Sequence, residues 1–458
     1  MAPPVPAPTQ GYAGPPTRAG QPQPGAGQVL PGQLLGAPAA PARPLRAFVT
    51  SALKGTPGRM RLIGAVAALA AALFGIIGAN NLWSSSAALE RADHNTAQVV
   101  RMQGIYADLL RADADATNAF LVGGLENAGK REDYDSALAG VSRAITEAAK
   151  AQPADGPVLG HLNTRVQAYA ATVEQARVYN RQGLPVGAQY LNNASIGLRA
   201  TALPIVQATV TANQERASEE FAASSNGLAL ASTGIVALLV LFLAMLWLAR
   251  RTHRYLNTSL TIGTVLILLA LLIGALTLSS VASQITTARG TSYEGTLALA
   301  TARSAAFDAK SNESLTLVAR AGSASEPKWK TPSDAVVTNL ESLQSSGAVP
   351  PGDGARLLDQ WRAYVGQHQA IRKLDDAGTW DQAVAAATST GAGSANDLFS
   401  SFAADSAKIL SQVSRNTQQQ VTAPRTGTTV AGWALLVVCL GAALLSVRGI
   451  SQRLEEYR

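Results

Sequence analysis

Four long stretches of this chain contain no Asp, Glu, Lys, Arg or His, and they limit the fold more than any other feature of the sequence. Each is long enough to cross about 30 Å of hydrocarbon as a helix, although the fourth is near the lower length limit. One such stretch would be compatible with a buried core helix, but four in one chain predict a membrane protein. The uncharged stretches are residues 62–82, 227–249, 259–282 and 430–447.

The charges of the short segments between and beyond these stretches predict the topology. Residues 1–61, the turn at 250–258 and the end at 448–458 together carry twelve basic and two acidic residues. Their net charge is therefore +10, and the rest of the chain carries −3 of the total of +7. Because basic short segments stay in the cytoplasm, we expect both termini inside and no nucleic-acid partner.

The sequence divides into tails, membrane helices and two long extracytoplasmic segments. Twelve of the 22 prolines lie in residues 1–44, which hold almost no large apolar residues. Such a segment cannot bury enough apolar surface to fold alone, so a disordered tail is expected, with a Pro-rich docking segment as the alternative. The predicted segments are a tail at 1–60, membrane helices at 61–82, 227–249, 259–282 and 430–447, extracytoplasmic bundles at 83–226 and 283–429, a turn at 250–258 and a tail at 448–458.

Both long segments have the apolar periodicity of helices, so the predicted fold is an all-α membrane protein with four transmembrane helices and two tandem extracytoplasmic helical bundles. In the first segment, an apolar stripe runs from Met102 to Phe120 at spacings of three and four. The first helix is expected to continue from the membrane to Gly123 and Gly124, and a kink is expected at Pro204. Further helices are expected at about 130–151, around 162–173, and from 185 onward.

Pro and Gly residues mark the expected helix breaks in the second segment. These are Pro327 with Pro332, Pro350 to Gly352, and a turn region from Gly378 to Gly393. Landmarks also recur at matched offsets from the start of each unit. Asp113-Ala114 corresponds to Asp308-Ala309, and Gly183 to Gly378, which favours a tandem repeat.

The sequence lacks the motifs of common enzymes, so we expect no catalytic residues, no cofactor and no metal. There is no phosphate-binding Gly-rich loop, no zinc-protease motif and no nucleophile elbow. Asp113 and Asp115 point about 200° apart on a helix and cannot act as an acid–base pair. Asp115 is expected to pair with Arg111, and the cluster is interpreted as a solvated face. The membrane helices carry no ionisable residue, which argues against a transporter.

The turn that follows the third predicted helix is the candidate binding site. Asn180, Arg181 and Gln182 precede Gly183 and separate two predicted helices, so they are expected near a bundle tip. An exposed Arg between two amides suits an acidic partner or a carboxylate ligand. The alternative is an ordinary polar turn that caps the next helix.

Three runs of sequence carry a resemblance to a known family. They are ADADATNAFLVGG at 112–124, ARVYNRQGLPVGAQYL at 176–191 followed by NNAS, and AKSNESLTLVAR at 309–320. Together with the four-span layout, they resemble the GlnX-like actinobacterial membrane proteins over residues 55–458. The resemblance implies a link between an extracytoplasmic glutamine- or glutamate-binding lipoprotein and the cytoplasmic serine/threonine protein kinase G.

The sequence therefore predicts a non-enzymatic sensor or adaptor in the plasma membrane. Since it contains no kinase and no long cytoplasmic coiled coil, a signal would pass to a separate partner in the cytoplasm. The resemblance implies an amino-acid-binding lipoprotein and a Ser/Thr kinase as partners. The apolar helices indicate the lipid bilayer, and the chain could form a homo-oligomer. The alternatives are a structural protein of the cell envelope and a chemoreceptor-like sensor that binds a small ligand directly.

Overall fold

A computed structural model describes residues 56–122, 128–252, 257–320 and 322–455. These residues form helices and short connections, with no strand among them. The expected disorder of the tail falls mainly on residues outside the described ranges, as do Gly123 and Gly124. In chain order the α-helices are α1 Thr56–Val122, α2 Ala128–Ala151, α3 Gly156–Arg181, α4 Val186–Gly197, α5 Leu203–Ser224, α6 Leu228–Thr252, α7 Thr258–Ala288, α8 Glu294–Ala319, α9 Glu326–Ser346, α10 Pro351–Asp376, α11 Trp380–Thr388 and α12 Ala395–Glu455.

Among the described residues, four helical runs are long and apolar enough to cross a membrane, so the chain is an all-α, multi-pass membrane protein. Two of them continue without a break into the segments between the spans. Helix α1 has 67 residues and α12 has 61. No proline interrupts the sequence from 62 to 124, so α1 keeps its backbone hydrogen bonds along its length. We call residues 83–226 and 283–429 the first and second inter-span segments.

The first and last spans pack closely against each other. Phe74 on α1 and Cys439 on α12 are buried in one apolar cluster with residues of α6 and α7. A Cβ atom added to Gly75 would lie 2.6 Å from the Cβ of Cys439, so only glycine permits this approach of the helices. Further along, the rings of Trp83 and Trp433 lie 4.7 Å apart between their centroids.

The helices of the first inter-span segment follow the sequence prediction closely. Helix α1 ends at Val122, and its stripe from Met102 to Ala116 is buried. A π-helical turn, Leu198–Ala202, comes directly before α5, and Pro204 is the second residue of that helix. Since proline at the start of α5 donates no backbone hydrogen bond, a wider turn is accommodated there.

Two expectations for the second inter-span segment are wrong. Pro332 does not break a helix but lies inside α9. Lys328, whose carbonyl would accept the missing N–H bond four residues on, lines the same cavity as Pro332, so that carbonyl is not sealed in a packed core. The region from Gly378 to Gly393 is not a simple turn, because it contains α11. This Ala-rich helix buries Ala383 and Ala387.

The two inter-span segments share one hydrophobic core instead of forming separate cores. Leu109 of α1, Tyr169 of α3, Leu299 of α8 and Trp361 of α10 all belong to the same buried cluster. Helix α1 packs along α8, α5 and α12, so it lies at the centre of this assembly. A shift in the packing of one segment therefore acts directly on the other segment.

The helices of the two segments also match in length and spacing. Helices α3 and α10 each have 26 residues, and their first residues lie 195 positions apart. Each is followed by a glycine with positive φ, Gly183 at 68° and Gly378 at 76°. The last residues of α2 and α9, Ala151 and Ser346, are also 195 positions apart.

Candidate functional site: an arginine bridge between the two segments

Arg199 binds carboxylates from both inter-span segments. It lies in the π-helical turn Leu198–Ala202. Its Nη1 donates to Oδ2 of Asp113 on α1 at 2.8 Å. Its Nε and Nη2 donate to Oδ1 of Asp308 on α8 at 3.0 and 2.5 Å. One planar guanidinium therefore joins three helical elements, which suits the fork geometry of arginine.

Asp113 is fully buried, so its expected place on a solvated face is wrong. Besides Arg199, its carboxylate accepts hydrogen bonds from Ser195 Oγ at 2.6 Å, Tyr169 Oη at 3.2 Å and Ser311 Oγ at 2.6 Å. These four partners satisfy a charge that would be costly to bury alone. The sequence pattern misled because α3 and α8, which supply Tyr169 and Ser311 to Asp113, are distant from it in the sequence.

The electrostatics of this bridge favour its charged form. Burial lowers the pKa of Arg199, but the carboxylates of Asp113 and Asp308 outweigh burial and hold the pKa above its ordinary value. Burial, together with Asp113, raises the pKa of Tyr169 well above its usual range, so its hydroxyl remains a donor. The arrangement is a fixed, charged hydrogen-bond network and not a pair of groups poised for proton transfer.

A cavity of about 550 Å³ opens beside the bridge. We call it the Arg199 cavity. It lies between the first segment, through Ser195 and Arg199, and the second, through Asp308, Asn312 and Lys328. A ligand or a partner side chain entering here would meet one face of the bridge.

A second cavity, of about 360 Å³, is lined in part by residues of α1, among them Arg111 and Asp115. We call it the Asp115 cavity. The predicted pair of Asp115 with Arg111 is present there, with 3.7 Å between Oδ2 and Nε. Asp113 and Asp115 thus point to different sites, as their spacing predicted.

The second segment contains a buried charge cluster of its own. Glu313 on α8 accepts hydrogen bonds from Lys310 Nζ at 2.7 Å and Tyr364 Oη at 3.1 Å, and its carboxylate contacts Nδ1 of His368 at 2.7 Å. The His368 ring stacks on Trp329, with 3.6 Å between centroids. Burial raises the pKa of Glu313, but Lys310 and His368 outweigh it and lower the pKa to about 2.

The predicted site at the turn after α3 is not part of either cavity. Arg181 and Gln182 are exposed. Asn180 is half-buried, and its Nδ2 donates to the carbonyl of Phe120 at 3.2 Å. This bond ties the end of α3 to the end of α1, so Asn180 has a structural contact while Arg181 remains free to meet a partner.

Sequence reasoning missed Arg199, Glu313 and His368. The matched positions of Asp113 and Asp308 were a signal that these carboxylates are related, but nothing local identified the cation between them. Within the described residues, no three His, Cys, Asp or Glu side chains come together in a group that could hold a metal ion.

Comparison with known families adds one match. Residues 88–222 match the actinobacterial sensor domain. The matched part includes Asp113, Tyr169, Ser195 and Arg199 but ends before Asp308. No curated protein and no solved structure matches the chain. The family match supports an actinobacterial sensor protein, and the apolar helices make it a multi-pass membrane protein.

Proposed function

We propose that this chain is a non-enzymatic membrane sensor that relays extracytoplasmic amino-acid availability to a cytoplasmic Ser/Thr kinase through a substrate-binding lipoprotein. The sensor-domain match and the resemblance to GlnX-like proteins support the proposal. In this reading the two inter-span segments lie outside the membrane, as the basic short segments indicate.

The observation that carries the proposal is the bridge of Arg199 between Asp113 and Asp308. Asp113 lies on α1, which runs unbroken into the first span. Asp308 lies on α8, which follows α7 and the third span after the π-helical turn Arg289–Tyr293. A partner that shifts Arg199 would therefore act on two spans together, because packed helices respond by small collective shifts.

The two segments are inferred to be tandem copies of one sensor unit. Several side chains with related roles lie 195 positions apart, including Tyr169 with Tyr364 and Arg177 with Arg372. The hydroxyls of both tyrosines donate to buried carboxylates. Only the first copy matches the family. The second copy has its own buried charged residues, including Lys310 and Glu313.

The exposed turn at Arg181 and Gln182 is the proposed contact for the lipoprotein. The side chains of Arg181 and Gln182 are exposed, in contrast to the buried bridge. A signal received there has a short path inward, since Asn180 binds the carbonyl of Phe120, seven residues beyond Asp113 on α1.

Affinity purification tests this proposal directly. A tagged full-length chain is purified from native membranes in mild detergent, and bound proteins are identified by mass spectrometry. The expected result is co-purification of an amino-acid-binding lipoprotein and a Ser/Thr kinase. Recovery of cell-wall enzymes alone would instead favour the structural envelope protein.

A further inference from the structure

Three residues that line the Asp115 cavity each have a buried polar atom with no partner among the described residues. These atoms are Oδ2 of Asp115, Nε of Arg303 and Nδ2 of Asn396. Asp115 has a cation nearby in Arg111, but the separation of 3.7 Å is too long for a hydrogen bond. Buried polar groups normally find partners, and leaving one without costs about 1–3 kcal/mol. Three such atoms on residues that line one cavity point to recognition of a polar ligand.

Two of these groups are donors held in place by their surroundings. Nη1 of Arg303 donates to the carbonyl of Ala403 at 2.6 Å and to Ser406 Oγ at 2.7 Å, so the guanidinium is anchored on α12. Asn396 is 7% exposed and lies in the first turn of α12. The start of a helix carries positive partial charge, which also favours an anion there.

The third group is an acceptor. The rest of the lining is mixed, with aromatic rings and with the charged side chains of Arg111, Lys130, Asp133 and Lys310. Asp115 lines the cavity from α1. Phe307 and Phe399 also line it, with 5.3 Å between the centroids of their aromatic rings. The cavity therefore has two donors and one carboxylate acceptor without partners, and a partly aromatic surface for a short side chain. Its volume of about 360 Å³ suits a small molecule.

We propose that the Asp115 cavity binds a small free α-amino acid, whose carboxylate accepts from Arg303 and Asn396 and whose ammonium donates to Asp115. This inference rests on the proposed sensor function and specifies a direct ligand for it. A dicarboxylate without an amino group would satisfy the donors but would give the Asp115 carboxylate no donor. A simple amine would satisfy Asp115 but leave both donors without a partner.

Several charged groups around Asp115 determine how the site responds to pH. Arg111 lies on the same helix, Lys130 and Asp133 face it from α2, and Lys310 faces it from α8. Burial raises the pKa of Asp115 to about 6. Because the ammonium needs the ionised carboxylate, amino-acid affinity should increase as the pH rises through about 6.

Calorimetric titration of the full-length chain in lipid nanodiscs tests the proposal. The probes are L-glutamate, L-glutamine, L-aspartate and L-alanine, with succinate and putrescine as comparison compounds. At pH 7.5 we expect saturable binding of at least one amino acid, and affinity at least tenfold weaker for succinate and putrescine. Binding of none of the four amino acids would overturn the proposal.

Substitutions in the cavity lining test whether the amino acid binds there. Asn396→Leu and Asp115→Asn should each lower the affinity for the amino acid at least tenfold. Ser400→Phe should abolish binding by filling the cavity from an exposed position, so it carries little risk of unfolding. Ser401→Phe, at an exposed neighbouring position outside the cavity lining, is the matched control and should bind normally. Equal binding by Ser400→Phe and the wild type would contradict the proposal.

The binding experiments and the co-purification experiment can succeed or fail independently of each other. If Ser400→Phe and the wild type co-purify equally with the lipoprotein and kinase but no amino acid binds the chain, the relay stands without a direct ligand. If an amino acid binds but neither protein co-purifies, the cavity assignment stands and the proposed relay fails.

Discussion

Asp113 and Asp308 lie 195 positions apart in the sequence and bind the same guanidinium, that of Arg199. Asp113 is fully buried, and the side chain of Asp308 is 28% exposed. The buried carboxylate therefore depends on Arg199 for its counter-charge, whereas the other is partly solvated. This asymmetry makes the Asp113 side of the bridge structural and leaves the Asp308 side accessible from the Arg199 cavity.

Removing the cation should destabilise the protein. Arg199→Gln leaves Asp113 buried with its hydroxyl donors but without a positive partner, and the expected loss in free energy of unfolding is about 3 kcal/mol. Denaturant unfolding in detergent, followed by circular dichroism, measures the change.

Two control variants sharpen this prediction. Arg165→Gln removes an exposed arginine from α3 and should change stability by less than about 0.5 kcal/mol. The double variant Asp113→Asn with Arg199→Met removes both charges and should recover part of the loss. Arg199→Gln with wild-type stability would show that the bridge does not support Asp113.

Asp115 should reduce the stability of the protein at neutral pH. Such a cost is expected of a residue that serves binding instead of stability. Its pKa is raised by burial from 3.8 to about 6 in the folded state, so folding becomes less favourable as the pH rises between these values. Asp115→Asn removes that cost. The variant should be more stable than the wild type by about 1–2 kcal/mol at pH 7.5 and similar to it at pH 4. Thermal melts at the two pH values check this, and a less stable variant at pH 7.5 would refute it.

The cluster around Glu313 should make the protein sensitive to acid. The folded pKa of Glu313 is lowered from 4.5 to about 2, so its stabilisation is fully present above about pH 4.5 and is lost as the pH falls towards 2. Glu313→Gln should lower stability at pH 7 by about 3 kcal/mol and weaken this dependence, because Lys310 then has no buried counter-charge. Glu219→Gln, at an exposed position on α5, is the control. Unchanged acid sensitivity in Glu313→Gln would mean that other carboxylates cause it.

The sequence was sufficient for the spans and for most helix ends, because local features determine them. The uncharged stretches, the Gly after α3 and the Pro at the start of α10 act within one turn of the chain. It was insufficient for Arg199, since its role depends on which helices become neighbours. It also misplaced Asp113, whose burial follows from packing by α3 and α8, and Pro332, which α9 tolerates beside a cavity.

Arg181 should contribute to binding of the lipoprotein. Arg181→Ala is expected to weaken association by about 1–3 kcal/mol, the cost of one charge-assisted contact. Helix content and thermal stability should hardly change, because the side chain is exposed. Pull-down from membranes compares variant and wild type. Equal recovery of the lipoprotein would make this an ordinary polar turn, and unfolding of the variant would make Arg181 structural.

Cysteine labelling should establish the topology. A cysteine at Gly156 or Gly352 has open space around its Cβ and should react with a membrane-impermeant thiol reagent in intact cells. A cysteine at Thr252 should be protected, since the basic turn is expected inside. The native Cys439 is buried and gives little background. Labelling only at position 252 would show that the orientation in the membrane is the opposite of the predicted one.

Kinase signalling in cells is the most direct test of the relay. Phosphorylation of the kinase's protein substrates is quantified after addition of external glutamate or glutamine in wild-type and deletion strains. A third strain carries Arg199→Lys at an equal membrane level, because lysine keeps the charge but cannot bridge two carboxylates with the same fork. The relay predicts a response in the wild type, none in the deletion strain and a several-fold smaller response with Arg199→Lys. An undiminished response in the deletion strain would contradict it.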